Sequence, residues 1–310
     1  MNNEQALRAV DELLKSIVDS DVDVLRDASR HILEAGGKRV RPRLTLLGYE
    51  AVGGKDLNEV LPIAAAVELV HTATLVHDDI NDHGSLRRGR PTVNATWGRT
   101  FALLTGDYLF TKVYELVAPF KDLNVVFAQA TVALVEGETL QAQAAKNGTL
   151  DRETYARIIA KKTASLFAAA TKLGAMVGGG TKDQITALEQ YGFNVGLAFQ
   201  IVDDILDLIA DSKQLGKTAG LDVAQGKGFV IAQAVANGGS GAATAVLDVD
   251  AADPLTAFKQ KMMSGNYIQE GRENASQLAT LAAMSLAVLP PSEARDELQA
   301  LTRHVVERDH

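Results

Sequence analysis

Two stretches of the chain set three aspartates in the same five-residue pattern: Asp78-Asp79-Ile80-Asn81-Asp82 and Asp203-Asp204-Ile205-Leu206-Asp207. Both read Asp-Asp-x-x-Asp. Each lies in a run with helical apolar spacing, VELVHTATLVHDDIND and GLAFQIVDDILDLIAD. The first and last aspartate of each motif therefore project from one helix face, about 40° apart. Carboxylates this close repel one another unless a cation sits between them, and hard oxygen ligands suit Mg²⁺. The chemistry indicated is capture of a polyanionic substrate through bridging metal ions. A solvated helix end would account for one such motif, but two copies flanked by apolar helix fit that explanation poorly.

Basic residues are just as concentrated. Gly36-Gly37-Lys38-Arg39-Val40-Arg41-Pro42-Arg43 places four cations after a glycine turn, and Arg87-Arg88-Gly89-Arg90-Pro91-Thr92 follows the first acidic motif by one loop. Arginine forks and glycine-freed backbone are what phosphate binding requires. Either cluster alone reads as a solvated turn; beside two carboxylate clusters the balance reverses. His71 stands seven residues before Asp78, close to two full turns, so imidazole and carboxylate share a face. Gln200 precedes Asp203 by three residues and shares its face in the same way. A histidine on an apolar helix is by default a hydrogen-bonded core residue, and His77 is read that way.

The elements that must position these groups are helical. Apolar residues recur at three- and four-residue spacing over roughly 4–19, 23–35, 57–82, 99–118, 122–146, 152–177, 183–211, 255–264, 268–288 and 293–308. Alternating strand patterns are nearly absent, and glycine or proline pairs such as Gly53-Gly54 and Pro290-Pro291 punctuate the runs. The expectation is an all-α chain, a single domain over 1–310 built as a bundle of about ten or more long helices. No proline- or serine-rich linker divides it, and the acidic motifs must share one cavity to act together. With 310 residues, 46% of them apolar, the chain can bury a sizeable core. A net charge of -8 argues against general nucleic-acid affinity. Cysteine is absent, which removes disulfides and thiolate metal sites and is compatible with a cytoplasmic location. The charged, interleaved N-terminus shows neither a signal peptide nor a transmembrane segment.

The stretches GGKRVRP, HTATLVHDDINDHGSLRRGRPTVN, YARIIAKKTASLFAAA, FQIVDDILD and LGKTAGLDVAQGK resemble, in order, those of the trans-isoprenyl diphosphate synthases. The likeness extends over residues 36–228, and the C-terminus ending VVERDH is similar to long-chain members. This resemblance implies the isoprenoid synthase fold with a central cavity, a homodimer, and a Mg²⁺-dependent prenyltransferase. Its reaction would add isopentenyl diphosphate to an allylic diphosphate, with several ions per active site.

Residue by residue, the resemblance gives Asp78 and Asp82 to Mg²⁺ from one side and Asp203 to another ion from the opposing helix. Asp79, Asp204 and Asp207 become supporting or partial ligands. Lys38, Arg41, His71 and Arg88 surround isopentenyl diphosphate, and Arg87 goes to the allylic diphosphate. Lys162 and Lys217 contact that diphosphate as well, Thr163 and Gln200 face the developing carbocation or support the phosphate contacts, and Lys227 is a further diphosphate contact. No side chain is a dedicated general base; the departing diphosphate can take the proton. The family's chain-length pattern, with no bulky aromatic at Ala73 or Thr74, implies products longer than farnesyl diphosphate.

Three rival readings are weaker. Di-iron helical bundles use Glu-x-x-His pairs, but of the two here, Glu68…His71 and Glu307…His310, the second ends on the last residue. A terpene cyclase has no need of GGKRVRP to hold a second diphosphate. A non-catalytic partner subunit of a hetero-oligomeric synthase has no need of intact acidic motifs.

Overall fold

The computed structural model describes residues 1–147, 151–209 and 266–308. The fold is all-α, with helices α1 Asn3–Ile17, α2 Asp23–Glu34, α3 Val40–Ala51, α4 Leu61–Asn81, α5 Val93–Trp97, α6 Arg99–Val117 and α7 Asn124–Asn147. These are followed by α8 Arg152–Ile159, a π turn Ala160–Ala164, α9 Ser165–Val177 and α10 Lys182–Ile209, then α11 Tyr267–Ser285 and α12 Glu293–Val306. Among the described residues the only strands are Leu86–Arg87 and Arg90–Pro91, a two-stranded antiparallel hairpin. The expected segment 255–264 lies outside the described residues, as does the glycine- and alanine-rich stretch 236–252.

These residues fold into two compact units. The first takes in Met1–Thr131, Leu166–Gly192 and Ser285–Gln299. At its heart is α4, packed by α1, α3 and α6. From Ile63 to Val70 every residue of α4 is buried, the ion-paired Glu68 among seven apolar side chains. Two glycines bring α3 against α9: a Cβ on Gly48 would lie 2.6 Å from the Thr171 carbonyl oxygen, and one on Gly174 would lie 2.1 Å from that of Thr45. This backbone contact places Arg41, on the first turn of α3, over the Phe167 ring of α9 at 4.7 Å.

The second unit takes in Val132–Ser165, Phe193–Met284 and Ala300–His310. Here Gly137 of α7 meets the π turn, where a Cβ would stand 2.7 Å from the Lys162 backbone nitrogen. Gly271 of α11 packs against Ile205 of α10, leaving 2.8 Å between a Cβ and the isoleucine Cδ1.

Local features differ from the periodic reading, among them the short α5. Periodicity gives no helix between 36 and 56, whereas α3 occupies 40–51. Its residues from Leu44 to Tyr49 are all buried, so no apolar stripe stands out, and Pro42 is tolerated because it falls in the first turn. The segment 152–177 reads as one helix, but the π turn interrupts it.

Candidate active site

The first acidic motif occupies the C-terminal end of α4, where Asp82 is the capping residue and its amide donates to the Asp78 carbonyl at 2.8 Å. A helix C-terminus carries partial negative charge, so carboxylates there are electrostatically misplaced unless a cation compensates them. Asp78 and Asp82 are partly exposed, while Asp79 is buried. Its carboxylate receives the Arg87 Nε at 2.9 and 3.0 Å and the Arg87 Nη2 at 2.8 Å. Burial raises the Asp79 pKa, and the arginine opposes that rise. Asp79 is thus turned inward to hold an arginine, and the outer pair keeps some exposed surface.

The basic loops of the same unit converge. Arg88 and Gly89 form the two-residue turn of the hairpin, both with positive φ, 52° and 76°. The Arg88 guanidinium lies against Gly37, where a Cβ would be 2.6 Å from its Nη1. Arg39 also adopts a left-handed conformation, φ 47°, as N-cap of α3. Such backbones cost on the order of 1–3 kcal/mol and concentrate at functional sites.

The four cations of the first loop divide by partner. Arg39 donates to Glu68 at 2.6 Å, Asp11 at 2.8 Å and the Leu33 carbonyl at 3.2 Å, and Arg43 pairs with Glu297 at 3.0 Å. Lys38 is exposed just before α3, and Arg41 lies on the helix's first turn. The first turn of that helix holds no acidic residue and its N-cap makes no side-chain cap, so its leading amides suit an anion. Burial, reinforced by Arg41, Arg88, Arg87 and Arg39, lowers the His71 pKa well below the ordinary histidine value. The imidazole is neutral at pH 7, able to donate one N–H to an oxyanion. Because Glu68 is bound to Arg39, it is not available as an iron ligand beside His71. His77 leaves the site for α6, its Nε2 3.3 Å from the Leu103 carbonyl oxygen and packed where Gly106 has no side chain.

In the second unit the other acidic motif lies near the C-terminal end of α10. Its middle aspartate is again buried: Asp204 accepts from the Tyr155 hydroxyl at 2.6 Å and from Gln200 Nε2 at 2.9 Å. Burial pushes Asp204 up to about 7, the two hydrogen bonds oppose the rise, and Asp203 and Asp207 add to it. Gln200 Oε1 accepts from Thr163 Oγ1 at 2.7 Å. Lys162 is paired with Glu138 and donates to Gln141 at 3.2 Å, and Lys161 is paired with Glu136. Asp203 is partly exposed and Asp207 exposed. Arg308 donates to Asp203 Oδ1 at 3.3 Å and lies over the Phe199 ring at 4.8 Å.

Tyr155, Glu138, Gln141 and Arg308 escape the sequence reading. Tyr155 sits in a matched stretch, but nothing in its spacing marks a buried hydroxyl. Lys217 and Lys227 lie outside the described residues, as does His310.

Among the described residues no three acidic or histidine side chains gather closely enough to hold a metal ion unaided. The outer aspartates nevertheless suit Mg²⁺, which commonly takes one or two carboxylates and fills its remaining positions with water and substrate phosphate. No described helix is long and apolar enough to cross a membrane.

Residues 22–253 match the sequence model of the Polyprenyl synthetase family. The chain is 38% identical to the short chain isoprenyl diphosphate synthase of Methanothermobacter thermautotrophicus, over 97% of this chain and 96% of that protein. It is 34% identical to the octaprenyl diphosphate synthase of Escherichia coli, over 98% and 96% respectively. The crystal structure of a polyprenyl synthase from Caulobacter crescentus, complexed with calcium and isoprenyl diphosphate, superposes with a TM-score of 0.89. That match has 32% identity and covers 99% of this chain and 96% of that one.

Proposed function

The chain belongs to the polyprenyl synthetase family and is a prenyltransferase that elongates prenyl chains, and we propose the following division of labour among its residues. Isopentenyl diphosphate and an allylic diphosphate condense to a longer trans-polyprenyl diphosphate. The allylic carbon–oxygen bond breaks, a carbon–carbon bond forms, and one proton leaves to the departing diphosphate.

Asp78, Asp82 and Asp203 would hold the Mg²⁺ ions, with Asp207 as a partial ligand. When bound, Mg²⁺ neutralises charge developing on the leaving diphosphate. Asp79 and Asp204 support from inside, the first by orienting Arg87 toward the allylic diphosphate and the second by fixing Gln200. Lys162 and Lys217 serve the same diphosphate, and Lys227 is a further diphosphate contact. Lys38, Arg41, Arg88 and neutral His71, with the N-terminus of α3, receive isopentenyl diphosphate. Thr163 and Gln200 present oxygen lone pairs and a fixed amide dipole near the cationic carbon. The protein aligns the two substrates and excludes water rather than supplying a base.

The observation that carries this reading is repetition. Both acidic motifs lie in the last described turns of a helix, and both bury the middle aspartate on a hydrogen-bonding partner while the outer two keep exposed surface. The proposed anion site at α3 would favour elongation over cyclisation, since a cyclase binds one diphosphate. Intact motifs speak against a silent partner subunit.

The two units then serve one catalytic domain, and the chain works as a homodimer through the exposed apolar residues of α6. A cytoplasmic location is proposed, with which the cysteine-free sequence is compatible. The product is longer than farnesyl diphosphate. The test is incubation of the purified protein with Mg²⁺, labelled isopentenyl diphosphate and each allylic primer in turn. Extended labelled products are expected, and no extension with any primer refutes the reading.

A further inference from the structure

Tyr155 has no place in the roles above, yet it is only 6% exposed on α8 and gives its hydroxyl to Asp204 Oδ2 at 2.6 Å. A buried tyrosine needs an acceptor, but a backbone carbonyl would serve. Placing a carboxylate there, beside two others, costs free energy that a carbonyl acceptor would not.

What the pair fixes is the rotation of α10. Successive side chains on a helix are about 100° apart, so with Asp204 pinned inward Asp203 and Asp207 lie about 100° and about 60° round the helix from it, on the same side, where both keep exposed surface. The Gln200 amide is fixed as well. Its Nε2 donates to Asp204 and its Oε1 accepts from Thr163, which leaves it no freedom to flip.

The π turn is part of the same arrangement. Thr163 follows Tyr155 by eight residues. In an uninterrupted α-helix the two would point about 80° apart. A π turn closes on i→i+5 and rotates later residues back by part of one ~100° step, which brings Thr163 toward the Tyr155 face. The two can then meet Gln200 and Asp204, which are four apart on one face of α10.

We propose that Tyr155 is a positioning residue: through Asp204, Gln200 and Thr163 it sets the second acidic motif in the orientation that takes up metal-bound diphosphate. The inference rests on the proposed function for the identity of the ligand. Its test uses full-length wild type, Tyr155→Phe, Asp204→Asn and Asp204→Ala. Activity is followed across a Mg²⁺ titration, and binding of inorganic diphosphate with Mg²⁺ is measured by calorimetry.

Tyr155→Phe is expected to raise the Mg²⁺ midpoint and weaken diphosphate binding about 10-fold, with unchanged far-UV circular dichroism. Asp204→Asn keeps an acceptor without the charge and should shift both quantities less than Asp204→Ala. A Tyr155→Phe protein with wild-type midpoint and binding but a lowered melting temperature would show a merely structural tyrosine and overturn the proposal. Equal losses in Asp204→Asn and Asp204→Ala would overturn it too, by making Asp204 a charged ligand in its own right. Should Tyr155→Phe not fold, that Asp204 comparison still decides. A wild type that binds Mg²⁺-diphosphate yet condenses nothing would sink the proposed reaction while leaving the calorimetric test of Tyr155 intact.

Discussion

Arg87 grips Asp79 through two donors, with Nε 2.9 Å and Nη2 2.8 Å from the same carboxylate oxygen. The aspartate is buried and the arginine is not, so the carboxylate fixes the direction in which the guanidinium reaches. Asp79→Ala should therefore act through Arg87. Loss of a charged, largely buried hydrogen-bond pair is expected to cost about 2 kcal/mol of stability in urea unfolding. Kinetically it should raise the KM for the allylic substrate while changing the Mg²⁺ requirement little. A Mg²⁺ shift as large as that of Asp78→Ala would instead make Asp79 a direct ligand.

The two diphosphate sites should separate in steady-state kinetics. Arg41→Ala is expected to raise the KM for isopentenyl diphosphate at least ~10-fold more than that for the allylic substrate, and Arg87→Ala the reverse. Equal effects of each substitution on both substrates would contradict the assignment.

His71 gives a pH signature. Its pKa in the folded protein is lowered by burial and by Arg41, Arg88, Arg87 and Arg39, so on acidification the unfolded chain binds the proton first. Stability is complete above the unfolded value of about 6.5 and falls as pH drops below it, by at most about 1.4 kcal/mol per pH unit. Melting temperatures measured between pH 7.5 and 5 should decline less steeply for His71→Gln than for wild type. Parallel curves would show a histidine that titrates alike in both states.

On α6, Leu109 and Val113 are buried within their own unit, whereas Phe101, Leu103, Leu104 and Tyr114 are 44–68% exposed. Four large apolar side chains on one exposed helix call for a partner. Light scattering at micromolar concentration should give a dimer, and Leu103→Glu combined with Leu104→Glu should give a monomer. A monomeric wild type would contradict the arrangement.

Substitutions on α4 just before the first motif test the proposed product length. Ala73 is completely buried, while Thr74, one turn before Asp78, keeps some exposed surface. Thr74→Phe should shorten the product, whereas Ala73→Phe should mainly destabilise the protein by overpacking. An unchanged product distribution from active Thr74→Phe protein would remove this face from the chain-length determinant.

Much of this was legible in the sequence because helical periodicity is strong where helices have one wet face. The reading weakens where burial is complete. Helix α3 shows no stripe from Leu44 to Tyr49, so the basic cluster reads as a turn although Arg41 and Arg43 are helical. The π turn is invisible because a one-residue widening leaves no compositional mark. Charge spacing identified both acidic motifs, but not that Asp79 and Asp204 face inward. That depends on Arg87 and on Tyr155, which is 49 residues from Asp204 in sequence. Likewise nothing in the spacing shows that Glu68 and Asp11 engage Arg39 or that Glu297 engages Arg43.

The central claim is that the outer aspartates of both motifs bind diphosphate through Mg²⁺ during elongation. Its most direct test is incorporation of labelled isopentenyl diphosphate by wild type, Asp78→Ala and Asp203→Ala, with Mg²⁺ and with chelator. Wild type should turn over only with Mg²⁺, recover when Mg²⁺ is restored, and lose at least ~10³-fold in either variant, the several kcal/mol that removal of a metal ligand removes from transition-state stabilisation. Normal turnover in chelator, or in either variant, would contradict it.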